Sequence, residues 1–305
     1  MAAWCPFVGP SARCGSSHDK ATTQPIETTI GTSLNEKLAI NMQKATKSQL
    51  KEVRELLRSK SARDEKRVFA AEGQKLVWDI LSTGHAAESV LVSSKVLGAP
   101  LVKRIAEKAE GAGIPVFRVP AEEYENLSSL RSSQGVMGIV KMPASLVSAD
   151  NILKDGPVVV LDGIQDPGNM GAMIRCAVAF GADGVILLGE AVDIYNPKVV
   201  RASSGTVLNA RISAGGTDLI AKLKEKGAKL YASSCRGEGA LPVETLGRSG
   251  EKALLAFGSE GAGLSKKLTD MADAKFHIPI DEKVESLNVT AAVAVTLYEF
   301  ARKRG

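Results

Sequence analysis

Three apolar runs in the C-terminal half of this chain each break into a flexible, polar turn. Val158 to Leu161, rich in β-branched residues, leads into Asp162-Gly163-Ile164-Gln165-Asp166-Pro167-Gly168-Asn169-Met170-Gly171-Ala172-Met173-Ile174-Arg175. Leu254 to Phe257 leads into Gly258-Ser259-Glu260-Gly261-Ala262-Gly263-Leu264-Ser265. His277 to Ile280 carries the third, followed after a short gap by Ser286-Leu287-Asn288-Val289. Short β-branched and apolar runs read as buried strands. A ligand pocket built from strand ends and backbone groups needs this arrangement.

The turns narrow the ligand. Gly258, Gly263 and Ser265 have the spacing of a phosphate loop, G-x-x-x-x-G-K-[ST], but Leu264 stands where the lysine belongs. Glu260 adds negative charge where phosphate oxygens would sit. No complete G-x-G-x-x-G occurs, so a dinucleotide fold has little support. In the first stretch Pro167 and Gly168 force a turn, and Asn169 is a good helix N-cap. Met173, Ile174, Ala177 and Phe180 recur at helical spacing. Arg175 is therefore expected less than two turns into a helix whose N-terminus faces the strand ends.

Taken in order, N-x-G-x-x-x-R, G-S-E-G-x-G-L-S and I-P-I followed by S-L-N-V-T-A-A-V-A resemble the motifs of the SpoU (TrmH-type) RNA ribose methyltransferases of the SPOUT superfamily. The resemblance covers about residues 155 to 303. It implies a trefoil-knotted α/β methyltransferase domain, S-adenosylmethionine as methyl donor, no metal, and a homodimer formed through the knotted domain. General chain rules alone give an open parallel sheet, because deep knots are rare.

The chain has 305 residues, enough for two cores, with a net charge of +5. That mild basicity is compatible with an RNA partner. Aromatics make up only 4%, so a stacking platform is not the expected RNA-binding device. Cys5, Cys14, Cys176 and Cys235 form no C-x-x-C pair and do not cluster with His18, His85 or His277, which argues against zinc. The cysteine pattern fits a reducing compartment, and Cys176 reads as a small core residue rather than a nucleophile. No apolar run approaches the ~18 to 20 residues of a membrane span.

Residues 1–45 lack periodicity and read as a disordered tail or an upstream extension, with Met42 an alternative start. They match an arginine-rich, acid-poor transit peptide poorly, so a cytoplasmic location is expected. A first domain is expected over 46–143, a linker over 144–154 and the methyltransferase domain over 155–305. Thr46 or Ser48 can cap a helix Gln49 to Arg58. Strands are expected at Arg67 to Ala71, Ser89 to Val92, Val116 to Val119 and Val136 to Val140. Helices are expected at Gln74 to Leu81, near Leu101 to Ala109, and near Ala121 to Leu127. This alternation means a small α/β domain.

Arg67-Val68-Phe69-Ala70-Ala71-Glu72-Gly73 and Ser133-Gln134-Gly135-Val136 resemble the family's N-terminal substrate-binding domain, which is similar in fold to certain large-subunit ribosomal proteins. The resemblance implies that this half grips RNA. Lys47, Lys51, Arg54, Arg58, Lys60, Arg63, Lys66 and Arg67 would make a basic entry, with Arg54 and Arg58 on one helical face. These residues either contact phosphate or form a solvated surface among Glu52, Glu55, Asp64 and Glu65.

The implied reaction is methyl transfer to a ribose 2′-hydroxyl. Charge developing on that weakly acidic oxygen needs a positive neighbour, and Arg175 is the candidate. The resemblance allows the matching arginine to be a general base. A guanidinium is almost always protonated, so a clamp on the ribose or its phosphate is the preferred role, with base action left open. Asn169 either caps its helix or also orients Arg175 or the nucleotide. Glu260 either ties its turn through backbone N–H groups or partners Arg175 or the substrate. Gly258, Ile278 and Leu287 match family positions lining the donor pocket, and Ile278, Ile280 and Leu287 would cover the adenine or simply pack the core. Ser286 and Asn288 offer polar groups at the same rim, and Asn288 also begins a helix Val289 to Arg302. Asn196-Pro197-Lys198-Val199-Val200-Arg201-Ala202-Ser203-Ser204-Gly205 resembles the family's N-P-K-x-x-R-A-S-x-G, in which Lys198 and Arg201 either face phosphates or serve local capping. Ribosomal RNA is preferred as substrate. The alternatives are a tRNA 2′-O-methyltransferase, or a non-catalytic RNA-binding or ribosome-assembly protein on the same fold.

Overall fold

The computed structural model describes residues 42–143, 147–148, 151–154, 156–234, 239–247 and 251–303. The expected N-terminal tail lies outside these residues except for 42–45, and so do Cys5, Cys14, Cys235 and parts of the expected linker.

Residues 42–45 are not tail. Gln43–Lys44 is a strand, β1, and Met42 and Ala45 beside it are buried. The chain continues through helices α1 (Lys47–Arg58) and α2 (Lys60–Lys66), then β2 (Val68–Glu72), α3 (Gln74–Ser82) and β3 (Ala87–Ser93). After these come α4 (Pro100–Gly111), β4 (Val116–Val119), α5 (Ala121–Leu127) and β5 (Val136–Lys141). The five strands pair in the order β1-β4-β3-β5-β2, with β2 and β3 antiparallel to β5 and the remaining pairs parallel. Thr46 caps α1 through a reciprocal pair of bonds with Gln49, worth about 1 kcal/mol. The buried face of α1 is Leu50, Val53 and Leu56.

The second sheet is built from β6 (Val158–Asp162), β7 (Gly184–Leu188), β8 (Ile212–Gly215), β9 (Lys229–Ser233), β10 (Leu241–Pro242), β11 (Ala253–Gly258) and β12 (Ala274–His277). Its order is β10-β12-β9-β11-β6-β7-β8, with every pair parallel. Val158 to Leu161 and Ala253 to Phe257 are buried without alternation, as strands covered on both faces must be. The covering helices are α6 (Pro167–Ala179), α7 (Pro197–Ala202), α8 (Thr217–Glu225), α9 (Lys266–Asp270) and α10 (Val289–Arg302). Ile152, within the expected linker, is fully buried in this half's core.

One apolar cluster crosses between the halves. Phe69, Leu76 and Ile80 of the first half share it with Ile194, Val199, Val200, Val207 and Leu208 of the second. Phe69 and Tyr195 stack at 5.1 Å. Beside them Arg63 and Asp193 form an ion pair at 2.6 Å with side chains only 3% and 10% exposed. Arg63 Nη1 also donates to the Leu56 carbonyl at 2.6 Å. Arg63 therefore does not belong to a basic RNA entry; it joins the two halves. Lys60 is paired with Asp64, Lys66 with Glu52, and Arg67 donates to the Pro143 carbonyl, which leaves Lys47, Lys51, Arg54 and Arg58 as the basic helix surface.

Candidate functional site

Parallel pairing aligns the motifs. Gly258 is the register partner of Asp162, so the turns after β11 and β6 emerge side by side. Leu188, at the end of β7, is the next partner of Asp162. Asp162 is nine-tenths buried, and its carboxylate accepts a bond from the Ser265 N–H at 2.7 Å, tying the two turns together.

Two cavities open at these strand ends. The larger, about 580 Å³, is lined by Asp162, Gln165, Asp166, Asn169 and Glu190 among others. The smaller, about 180 Å³, is lined by Gly258, His277, Ile278, Ile280, Ser286 and Leu287 among others. Both include Ser259, Glu260, Gly263 and Val289, so they meet along the glycine-rich turn. In the wall of the smaller cavity Phe257 and Phe276 pack edge to face at 5.9 Å.

A polar cluster stands where the cavities meet. Glu260 Oε1 accepts from Asn169 Nδ2 at 3.1 Å and from Asn288 Nδ2 at 2.5 Å. Asn169 Oδ1 accepts from the Thr290 hydroxyl at 3.2 Å. Asn288 also caps α10, accepting from the Thr290 N–H at 2.9 Å. The structure thus brings Asn169, Glu260 and Asn288 together from three separate motifs. Two neutral amides donating to one carboxylate hold its charge in place without cancelling it.

Several expectations change. Asp166, not Asn169, caps α6, accepting from the Asn169 N–H at 2.7 Å with Pro167 in the first helical position. That leaves the Asn169 amide for Glu260. Arg175 lies more than two turns past Pro167, and among the described residues it lines neither cavity. Its Nη1 donates instead to Ser204 Oγ at 3.0 Å. Glu260 is bonded by side-chain amides, and among the described residues it neither ties its own turn through backbone groups nor pairs with Arg175. His277 ends β12, so Ile278 and Ile280 follow the strand rather than forming it. Ser286 and Leu287 are exposed and stay at the rim of the smaller cavity.

Lys198 is exposed at the start of α7, which Asn196 caps by accepting from the Lys198 N–H at 2.9 Å. Arg201 is half-buried with Nη1 unpartnered. Arg54 and Arg58 lie on α1 and line neither strand-end cavity. Burial pushes the Cys176 thiol up, against the opposing charge of Arg175, which disfavours a thiolate nucleophile. Three participants went unread in the sequence: Thr290, His277 and Asp162. Asp162 had a signal, a lone carboxylate ending a wholly apolar strand.

Gly258 has a reason to be glycine besides ligand approach. A Cβ there would lie 2.0 Å from the Gly263 carbonyl carbon and 2.2 Å from its oxygen, so the turn closes on backbone. Its φ is not in the left-handed region. Gly258→Ala is therefore expected to displace the turn carrying Glu260, lowering the unfolding midpoint as well as ligand affinity. Thermal unfolding with a melt unchanged from the parent would contradict this.

An apolar cavity and an amide-held carboxylate at the ends of a parallel sheet, fused to a small mixed-sheet half, define a two-part α/β protein with its site at strand ends. The SpoU rRNA Methylase family model matches residues 156–298 and the MRM3-like substrate binding domain model matches residues 47–138. The chain belongs to the SpoU family. It is 27% identical over 243 residues to the 23S rRNA (guanosine(2553)-2′-O)-methyltransferase RlmP of Bacillus subtilis, covering 79% of this chain and 92% of that one. It is 28% identical over 229 residues to the 23S rRNA (adenosine(1067)-2′-O)-methyltransferase of Streptomyces azureus, covering 73% and 84%. The crystal structure of AdoMet-bound rRNA methyltransferase from Sinorhizobium meliloti superposes with a TM-score of 0.72 at 30% identity, covering 86% of this chain and 97% of that one.

Proposed function

We propose that this chain transfers a methyl group from S-adenosylmethionine to the 2′-hydroxyl of a ribose in ribosomal RNA. The observation that carries the reading is the Asn169–Glu260–Asn288 cluster at the junction of the two cavities, in a chain whose relatives are named for rRNA ribose methylation.

The smaller cavity fits the donor. Ile278, Ile280 and Leu287 offer apolar cover for an adenine, and the His277 Nδ1 in the same wall is buried without a partner. When bound, S-adenosylmethionine supplies a methyl group already activated on a sulfonium cation. Gly258 keeps the turn tight against that wall, and Ser286 offers a hydroxyl at its rim. Glu260, fixed by two amides, presents a carboxylate to a ribose hydroxyl entering from the larger cavity and orients it. Thr290 fixes the Asn169 amide so that its NH2 faces Glu260. Arg175 supplies the positive charge for the developing alkoxide. Because it stands outside both walls, its charge reaches the ribose only with RNA, or a second copy of the chain, in place.

RNA would be gripped by the α1 surface, through Arg54 and Arg58, and by Lys198 and Arg201 on α7. The protein acts as a cytoplasmic homodimer in this reading. Val295 and Tyr298 are 39% and 54% exposed on α10, with Phe180 packed edge to face on Tyr298. Tyr298→Asp is expected to shift a dimeric mass to a monomeric one by light scattering. A monomeric parent at micromolar concentration with full activity would refute the dimer. Calorimetry tests the donor: saturable binding of S-adenosylmethionine, and none of ATP or NAD, is expected. Binding of ATP or NAD in its place would overturn the assignment.

A further inference from the structure

We propose that Ser204 is a positioning residue for Arg175. The inference rests on the reading that Arg175 acts in methyl transfer.

Ser204 is unusual in its backbone. It has φ +52°, and among the described residues only Arg67 is another non-glycine with positive φ. A β-carbon crowds the following carbonyl there, so an L-residue other than glycine, asparagine or aspartate rarely persists without a use. The turn follows α7 directly. Its bonds run from Ser204 N–H to the Arg201 carbonyl at 2.9 Å and from Gly205 N–H to the Val200 carbonyl at 3.0 Å. This is a helix end that calls for a left-handed residue, and glycine would serve it with less strain. A serine there gains one thing, the hydroxyl that accepts from Arg175 Nη1 at 3.0 Å.

The choice of a hydroxyl suits the chemistry. Arg175 is exposed, and an unheld arginine samples many rotamers. Fixing it beforehand removes that disorder from the reacting complex. A carboxylate would fix it too, but would neutralise the charge that the developing alkoxide needs. A neutral acceptor holds the guanidinium and leaves its charge free.

The turn is roofed by the other half of the chain. A Cβ on Gly205 would lie 2.8 Å from Leu76 Cδ1, and Leu76 belongs to α3. Below the turn α7 presses on α6, the helix that carries Arg175: a Cβ on Gly171 of α6 would lie 2.5 Å from the Val199 carbonyl of α7. The Ser204 hydroxyl is short, so its place is set by this backbone and not by side-chain reach. Contacts therefore run from α3 through the Ser204–Gly205 turn to the guanidinium.

The test uses the full chain with rRNA and three variants. Ser204→Gly keeps the turn and removes the hydroxyl. It is expected to lower kcat about tenfold, the range for losing a bond to a charged group. The S-adenosylmethionine affinity and the KM for RNA are expected to hold, and the melting midpoint to hold or rise as the left-handed strain is relieved. Ser204→Asn tolerates the same φ and restores an acceptor, so it should recover most of kcat. Arg175→Ala separates the two readings. If it keeps near-parent turnover, the role of Arg175 is wrong. If it is inactive while Ser204→Gly turns over like the parent, the positioning role of Ser204 is overturned. Equal losses in both Ser204 variants with a falling midpoint would show a purely structural turn and overturn it as well.

Discussion

Arg175→Ala is expected to lower methyl transfer by ~10²- to 10³-fold while leaving S-adenosylmethionine affinity unchanged. Arg175 lines neither cavity, so its removal takes nothing from the donor wall. In the proposed role its charge matters only as the hydroxyl proton leaves, and an interaction made in the transition state shows in turnover rather than ground-state binding. Arg175→Lys keeps the charge and loses the planar guanidinium, whose Nη1 reaches Ser204. A clamp therefore predicts a severe defect in the lysine variant too. Single-turnover kinetics beside calorimetry read both quantities. Near-normal turnover in Arg175→Ala would move the search to Glu260, which the two amides already hold at the cavity junction.

Asp193→Ala should be the most destabilising single change at the contact between the halves. It leaves the Arg63 guanidinium buried without its counter-charge. Removing one partner of a buried pair costs about 3 to 5 kcal/mol, because the remaining charge can neither rehydrate nor find a counterion. Removing both is far milder, so Arg63→Met with Asp193→Leu should recover most of the loss. Urea unfolding midpoints decide this. A loss under about 1 kcal/mol in Asp193→Ala would mean that water reaches the pair as it does at a surface.

The apolar periodicity made much of this architecture readable. β4 and α5 fall on the residues expected, and the other expected strands and helices of the first half shift by only a residue or two at most ends. α2 was not legible. Its sequence Lys-Ser-Ala-Arg-Asp-Glu-Lys has no apolar face, and what anchors it is a carboxylate 130 residues away. The same blindness made Arg63 look like an RNA contact, because a charge run does not show which member turns inward.

At the strand ends, the motifs pointed to residues that the structure brings together, and to less of the wiring. Asn169, Glu260 and Asn288 do meet, since parallel register aligns the turns after β6 and β11. The cap of α6 was misread: the sequence reading took Asn169, and Asp166 is the cap. Pro167 was the deciding signal, because proline favours the first helical position and points to the residue before it. Gly258 shows the limit of reasoning from residue type. Its need for space was legible, but only coordinates show that Gly263 and Leu264 take that space. Ser204 carried no sequence signal, since a left-handed serine looks like any other serine until its φ is known.

The most direct measurement of the central claim is transfer of a labelled methyl group from S-adenosylmethionine to ribosomal RNA from cells lacking this protein, followed by digestion to nucleosides. Label is expected in one 2′-O-methylnucleoside, at one position when mapped along the RNA, and none in transfer RNA. Label on a base, label confined to transfer RNA, or RNA binding without any transfer would each contradict it.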